Sequence, residues 1–186
     1  MPEKVRCKWC NLKNPLYVKY HDEEWCKPNF DDEYLYKMLI LESFQAGLSW
    51  ECVLNKREDF RKAYDNFDID KICKYNNKKI EQLLSNEKII RNKLKIKASI
   101  NNSKIFKNIQ EEFGTFYNYI KIFTKDKTFY EIDKKTSKLS DLISKDLQKR
   151  GMKFVGSTII YSYLQAIGVI YSHDKECYLY KKEVNS

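Results

Sequence analysis

An uncharged segment of nineteen residues, 154–172, constrains the fold of this chain more than any other feature. Because 33% of all residues are charged, a stretch of this length without any charge is unusual. Nineteen residues is about the length with which a helix crosses a bilayer. Ten of them, however, are glycine or carry a hydroxyl or amide group, which makes the segment too polar for a membrane span. We interpret it as a buried helix, entered through a glycine turn, and expect no membrane association.

Helical spacing dominates the rest of the sequence. Apolar side chains and Glu42 recur at this spacing in residues 32–46. Ser49 is a good N-cap for a following helix, whose apolar residues stay in step as far as Tyr64. Residues 124–136 show no pattern and are expected to form a loop. The pattern predicts an all-α fold, with further helices in residues 78–84, 88–109, 115–123 and 138–148.

Length and composition indicate one globular, cytoplasmic domain. A chain of 186 residues is close to the usual size of a single domain. Only eight residues are glycine or proline, which excludes collagen-like and low-complexity chains. Six cysteines are too few for a disulfide-held scaffold of this length, and residues 1–10 contain no apolar stretch of a secretory signal. We therefore expect reduced thiols.

The net charge favours an anionic partner. Lysine and arginine number 35 against 26 aspartates and glutamates, which gives a formal charge of +9. Nucleic acid is the commonest partner of a basic domain. The alternative is a well-solvated surface rich in lysine and asparagine that binds nothing, and charge alone does not decide between the two.

Glu42 is a candidate functional carboxylate. It is the only charged residue between Lys37 and Glu51, and it shares a helix face with apolar residues. A carboxyl group on a buried face is unfavourable unless a site uses it. Because a glycine and Trp50 follow closely, we interpret Glu42 as part of a pocket wall. The alternative is a partly exposed glutamate at a helix end, paired with a nearby lysine.

Four possible metal ligands lie near the two ends of the chain. Cys7 precedes His21 by fourteen residues, and three residues separate His173 from Cys177. Two cysteines and two histidines can complete a tetrahedral zinc site with no position left for water, and such a site is structural. The spacing is not that of a standard zinc finger, and Cys10 is a rival ligand. The alternative is surface histidines and buried thiols without metal.

Residues 149–158 contain a possible anion site. A glycine turn followed by a helix N-terminus presents several backbone N–H groups to one anion. The turn is flanked by basic residues, namely Lys149, Arg150 and Lys153. The alternative is an ordinary corner between two helices, in which the glycines allow close packing.

Seven sequence blocks, in order along the chain, form a more specific pattern. They are R-C-x-W at 6–9, P-L-Y-x-x-Y-H-D-x-E-W at 15–25, E-x-x-Q-A-G-L-S-W at 42–50, K-R-E at 56–58, I-I-R-N-K at 89–93, K-R-G-x-K-F-V-G at 149–156 and H-x-x-x-C at 173–177. Together they resemble the 3-methyladenine DNA glycosylase I family, base-excision enzymes of the helix-hairpin-helix superfamily. The resemblance implies one compact glycosylase domain over residues 1–186, with the helix-hairpin-helix at about 138–168.

The resemblance also implies a metal site and a base pocket. One structural Zn²⁺ per chain would join residues 1–25 to residues 169–180, and Cys7 is favoured over Cys10 as a ligand. The family's pocket of a glutamate and aromatics maps onto a catalytic Glu42 and onto five aromatic residues. The implied ligands of zinc are Cys7, His21, His173 and Cys177, and the implied base-binding residues are Tyr20, Trp50, Trp9, Tyr17 and Trp25.

The implied activity is excision of 3-methyladenine from alkylated double-stranded DNA by a monomeric, monofunctional enzyme. Water is the expected nucleophile, and free base and an abasic site are the expected products. An alternative is a zinc-stabilised module that recognises alkylated DNA without cutting it. A third class is a basic protein-interaction domain with no DNA role, which predicts no salt-dependent binding of duplex DNA.

DNA contacts are expected at two places. The hairpin is similar to the superfamily's phosphate clamp, which contacts the DNA backbone without reading sequence. Leu48, in a tight corner beside the pocket, is our hypothesis for a wedge that fills the vacated stack; the alternative is a core leucine. The expected hairpin contacts are Gly151, Lys153, Val155, Gly156 and Ser157.

Overall fold

The computed structural model describes residues 4–181, which form ten α-helices and two short strands. The helices are α1 (Pro15–Glu23), α2 (Asp32–Gln45), α3 (Trp50–Asn55), α4 (Arg57–Ala63), α5 (Ile69–Ile72), α6 (Asn77–Ser85), α7 (Lys93–Phe113), α8 (Phe116–Thr124), α9 (Lys138–Lys149) and α10 (Ser157–Ala166). The strands are β1 (Phe129–Tyr130) and β2 (Ile170–Tyr171). The chain is thus mostly helical, as predicted, but the all-α prediction is not met in full because β1 and β2 pair.

Helix α2 lies at the centre of the structure, where it contacts α3, α7, α8 and α10. Residues 38–44 are all buried, so this part of the helix is enclosed on every side. Glu42 is the one charged residue among them. Helix α10 packs on both α2 and α9, which explains why the segment containing it has no charges. None of the helices in residues 4–181 is long and apolar enough to cross a membrane.

Side-chain caps define where most helices begin. Eight of the ten helices start after a residue whose side chain accepts a hydrogen bond from the first turn, as Ser49 does from the Cys52 amide at 3.2 Å. The cap predicted at Ser49 is therefore confirmed. Helix α4 continues directly from α3, and α10 begins at Gly156 without a side-chain cap. The first amides of α10 thus have no side-chain acceptor of their own.

Several predicted boundaries need correction. The helix predicted from Ser49 to Tyr64 is broken at Lys56, where α3 ends and α4 begins. The long middle helix begins at Lys93 instead of residue 88, since Asn92 caps it there, and it extends to Phe113. Helix α1 is not predicted by periodicity, although a capping asparagine followed by proline at the first helical position is a typical helix start.

The buried helix predicted for residues 154–172 is also too long. It ends at Ala166, because Gly168 has a φ of +77° and turns the chain. Strand β2 follows and pairs in parallel with β1, Phe129 opposite Ile170. Strand β1 lies within residues 124–136, so the loop predicted there contains a short strand.

Replacing Gly168 by alanine is expected to destabilise the fold. An added Cβ would lie 2.2 Å from the backbone nitrogen of Pro28 and 2.4 Å from the carbonyl carbon of Lys27. We expect the free energy of unfolding to fall by about 2–3 kcal/mol, measured by urea unfolding with circular dichroism. Gly156→Ala is the control, since its φ is −61° and no atom lies within 4 Å of its added Cβ; it should cost about 1 kcal/mol or less. Equal unfolding midpoints would contradict the expected clash.

Candidate active site and metal-binding cluster

A pocket of about 380 Å³ opens beside α1, α2, α3 and α10. It contains all three tryptophans of the chain. The structure brings together the six residues predicted to form a base pocket, and all of them line this cavity: Trp9, Tyr17, Tyr20, Trp25, Glu42 and Trp50.

Glu42 is enclosed in the pocket wall without a protein partner. Its side chain is buried, with 2% of the residue exposed, and its Oε2 atom has no hydrogen-bond partner. Burial raises the pKa of this carboxyl well above the ordinary value of 4.5. The alternative of an exposed glutamate paired with lysine is therefore wrong. A buried acceptor without a partner beside a cavity is available to a ligand.

Two more unpartnered polar atoms face the same pocket. Gln45 Oε1 and Trp50 Nε1 are buried and have no hydrogen-bond partner. Gln45 is not among the residues predicted from the sequence, although it lies one helical turn after Glu42 and thus on the same face of α2. Ser162 and Gln165 of α10 also line the pocket. Some polar groups of the uncharged segment 154–172 therefore belong to the pocket wall.

Aromatic rings form the walls. The ring centroids of Tyr20 and Trp50 are 5.3 Å apart, with 48° between the planes, and Trp9 meets Trp25 edge-on at 4.7 Å. Burial, together with the charge of Glu42, raises the pKa of Tyr20 well above 10, so its hydroxyl keeps its proton. A cavity with aromatic walls and a buried carboxyl group suits a planar, positively charged ligand.

Helix α1 is fastened to α3, which fixes Tyr20 relative to Trp50. The Asn14 side chain caps α1 and donates hydrogen bonds to Glu51 Oε1 at 2.8 Å and to Asn55 Oδ1 at 2.9 Å. These two hydrogen bonds join the helices that carry Tyr20 and Trp50. Three further residues line the pocket, although sequence patterns do not predict them to be part of the site: Asp133, Lys134 and Lys135.

A larger cleft, of about 730 Å³, lies on another part of the surface. None of the buried polar side-chain atoms without a partner in residues 4–181 belongs to its lining, whereas three belong to the smaller pocket. The smaller pocket is therefore the better candidate for ligand binding. The charged residues around the larger cleft are Asp31, Asp32, Glu33, Lys37, Arg61, Asp68 and Asp70.

The four predicted metal ligands meet in one buried cluster. Cys7 Sγ lies 3.4 Å from His173 Nδ1, and Cys177 Sγ lies 3.5 Å from that atom and from His21 Nε2. All four donor atoms lie within 4.8 Å of one another. Ligands of tetrahedral zinc are separated by roughly 3.3–3.8 Å at normal bond lengths, so this donor set fits a metal ion of that kind.

The alternative of surface histidines is wrong, and Cys10 does not belong to the cluster. Both histidines are buried and not on the surface, and Cys10 Sγ lies apart from the cluster, 4.0 Å from the carbonyl oxygen of Tyr17. Burial lowers the pKa of His21 and lowers that of His173 to about 4. Both rings are thus neutral at pH 7, as metal binding requires.

A carboxylate orients one of the two imidazoles. His21 Nδ1 lies 2.8 Å from Asp22 Oδ1, which leaves Nε2 facing the cysteines. Arg6 donates two hydrogen bonds to the same carboxylate, at 2.8 and 2.7 Å. Burial opposes the ionised form of Asp22, but the hydrogen bonds from Arg6 and His21 outweigh it and lower its pKa below the usual range. Such a carboxylate–histidine pair is typical of metal sites.

The turn between α9 and α10 is held from behind by α7. Asn102, which is fully buried, accepts a hydrogen bond from the Lys153 amide at 2.9 Å and donates one to the Lys153 carbonyl at 2.8 Å. The side chain of Val155 is buried, and the Ser157 hydroxyl donates to Asp141 at 2.5 Å. At these two positions it is the backbone, and not the side chain, that can serve a ligand.

Leu48 projects from the corner between α2 and α3. The corner turns at Gly47, whose φ is +75°, and 42% of Leu48 is exposed. The alternative of a core leucine is therefore wrong. In sequence it lies between Gln45 and Trp50, both of which line the pocket.

Comparison with known proteins agrees with this geometry. The sequence profile of the methyladenine glycosylases matches residues 9–180. The chain is 40% identical over 182 residues to DNA-3-methyladenine glycosylase 1 of Escherichia coli K12, covering 94% of this chain and 96% of the relative. It is 35% identical over 180 residues to DNA-3-methyladenine glycosylase of Haemophilus influenzae, covering 93% and 96%.

Solved structures give the same result. A crystal structure of 3-methyladenine DNA glycosylase I superposes with a TM-score of 0.91 at 36% identity and covers 95% of this chain and all of that one. The 3-methyladenine DNA glycosylase I of Staphylococcus aureus, whose structure describes recognition of 3-methyladenine, superposes with a TM-score of 0.89 at 28% identity over 97% of this chain and all of that one. By sequence and by fold, over nearly its whole length, the chain belongs to the methyladenine glycosylase family.

Proposed function

We propose that this chain is a DNA-3-methyladenine glycosylase, a base-excision repair enzyme that hydrolyses the N-glycosidic bond of 3-methyladenine in alkylated DNA. The relatives that carry this name match 94% and 93% of its length. One observation carries the proposal: the carboxyl group of Glu42 lies buried without a partner in an aromatic pocket. A planar base with a positive charge supplies the partner that this group lacks.

The chemistry of the substrate explains why such a pocket suffices. Methylation at N3 places a formal positive charge on adenine, so the glycosidic bond is weakened and the base departs as a neutral molecule. Selective binding then matters more than strong acid catalysis. An everted base can stack on aromatic rings and form hydrogen bonds along its edge. A cation over Trp50 and Tyr20 gains about 1–2 kcal/mol from the cation–π interaction, which neutral adenine lacks.

Each group in the pocket has a distinct part in this proposal. The Glu42 carboxylate accepts hydrogen bonds from the amine side of the base and balances its charge. Tyr20 and Trp50 grip the ring, while Trp9, Tyr17 and Trp25 enclose it and limit access of water. Water attacks the sugar as the base leaves, so the products are free 3-methyladenine and an abasic site.

Glu42→Gln tests the catalytic proposal. Loss of the negative charge should lower release of 3-methyladenine from randomly methylated DNA about 100-fold or more, even at saturating enzyme, measured by chromatography of released bases. Glu33→Gln is the control, since Glu33 is exposed on the same helix. A module that recognises alkylated DNA without cutting it, the alternative function, would release no base in any variant.

The pH dependence of 3-methyladenine release gives a second test of the role of Glu42. Burial raises the pKa of Glu42 above 4.5, and only the ionised carboxylate attracts a cationic base. The wild-type kcat/KM should therefore rise with pH through that raised pKa. The rise should be absent in Glu42→Gln; a rise of equal size in both proteins would assign the titration to another group.

We further propose that the buried cluster holds one structural zinc ion, with Cys7, His21, His173 and Cys177 as ligands. Support comes from the donor set, the spacing of its atoms and the carboxylate behind His21. Four protein ligands leave no position for water, so the ion would serve the fold. A link between residues 7 and 177 closes a loop of nearly the whole chain. In the loop-entropy treatment, such a link lowers the entropy of the unfolded chain and thereby stabilises the folded state by about 5 kcal/mol.

Metal analysis tests the zinc proposal. Elemental analysis of the purified, reduced protein should give one zinc per chain, and His173→Ala should abolish it and lower the melting temperature. Cys10→Ala is the matched control, since Cys10 is also buried but lies outside the cluster; it should retain the metal. Protein without metal, or a disulfide between Cys7 and Cys177, would contradict the proposal.

For the DNA we propose a helix-hairpin-helix contact and a wedge. The turn at residues 150–156 enters α10, whose first turn has no side-chain cap, so its backbone N–H groups can bind a phosphate. The contacts come from Gly151, Lys153, Val155, Gly156 and Ser157.

We also infer that one glycosylase domain acts as a monomer in the cytoplasm, in keeping with a single hydrophobic core and six free cysteines.

Leu48→Ala tests the wedge. If Leu48 fills the space left by the everted base, its truncation should slow excision from double-stranded DNA by about tenfold or more and should change excision from single-stranded DNA much less. Both are measured as release of 3-methyladenine from the same methylated oligonucleotide with and without its complement. Ile122→Ala, on the exposed surface of α8, is the control. Unchanged excision from duplex DNA would remove the wedge hypothesis.

A further inference from the structure

Lys95 is the one buried lysine among residues 4–181, with 7% of the residue exposed. It lies in the first turn of α7. Its Nζ atom donates to the carbonyl oxygen of Phe44 at 2.9 Å and to that of Ala46. These carbonyls stand on either side of Gln45, at the end of the helix that carries Glu42.

The end of α2 needs such a donor. The last carbonyls of a helix have no partner within the helix, and the helix dipole favours a positive charge there. Helix α2 has no basic residue in its own last turn. Lys95 supplies the charge from α7, immediately before the Gly47–Leu48 corner, and so fixes the backbone from which Leu48 projects.

The same helix also fixes the hairpin. Asn102 holds the Lys153 backbone through two hydrogen bonds, and Asn101 donates to the Gly151 carbonyl at 3.0 Å. Lys95 and Asn102 are seven residues apart, two turns and about 10 Å along one face of α7. The Lys95 ammonium also lies 5.9 Å from the ring of Phe154 in the hairpin, within the range of a cation–π contact.

We propose that Lys95 is a positioning residue for excision from duplex DNA: by anchoring the Phe44 and Ala46 carbonyls to α7, it sets the distance between the Leu48 corner and the hairpin that Asn102 holds. This inference rests on the proposed function. A wedge must enter the duplex at one step relative to the phosphates bound by the hairpin, and a displacement of 1 Å can cost about 100-fold in rate. Binding of a free base needs the pocket alone.

Lys95→Met tests this role, because methionine keeps an unbranched apolar stem and loses the ammonium group. We expect kcat/KM for release of 3-methyladenine from methylated duplex DNA to fall about 10- to 100-fold. Release from the same strand without its complement should change much less. The Kd of free 3-methyladenine should stay unchanged; it is measured by quenching of tryptophan fluorescence, which reports the pocket since all three tryptophans line it.

Lys97→Met is the matched control, since Lys97 is exposed on the same helix; its ratio of duplex to single-strand activity should equal that of the wild type. If Lys95→Met melts below the assay temperature, Lys95→Gln serves instead, because its shorter amide cannot reach both carbonyls.

An unchanged ratio in the Lys95 variant, or an equal loss on both substrates with weaker binding of the free base, would overturn the positioning role. A wild-type protein that releases no 3-methyladenine from either substrate would overturn the proposed function, and this inference with it. The two failures are therefore distinguishable.

Discussion

The carboxyl group of Glu42, buried without a hydrogen-bond partner, is the constraint on which the rest of the site depends. An unpaired carboxyl in the interior is destabilising, and the enclosed helix α2 does nothing to relieve it. The group instead lines the aromatic pocket, together with Tyr20 and Trp50. In the proposed function, the folded state tolerates an unfavourable interaction that a cationic base would remove, so binding would favour positive charge.

The two histidines belong to the cysteine–histidine cluster and not to the pocket. Both lie in the cluster with Cys7 and Cys177, and none lines the pocket. The pocket therefore lacks the commonest proton carrier of enzymes near neutral pH. Such an arrangement suits a substrate whose leaving group is already activated by its own charge.

Local sequence patterns predict the parts of the structure that depend on local physics. The cap at Ser49 and the helix over residues 32–46 follow from spacing and side-chain chemistry, and the pocket residues follow from motif blocks. The two-residue pairing of β1 with β2 depends on distant contacts. So do the unpartnered amide of Gln45 and the burial of Lys95, because exposure is decided by segments far away in the sequence.

The pocket and the cluster of two cysteines and two histidines each combine residues from near the two ends of the described chain. Trp9 and Asp174 line the same cavity, and Cys7 lies against His173 although 166 positions separate them. During synthesis, these walls cannot meet until residue 174 has left the ribosome. Contacts of such long sequence separation form slowly, and a chain that lacks either terminal segment lacks part of the pocket wall.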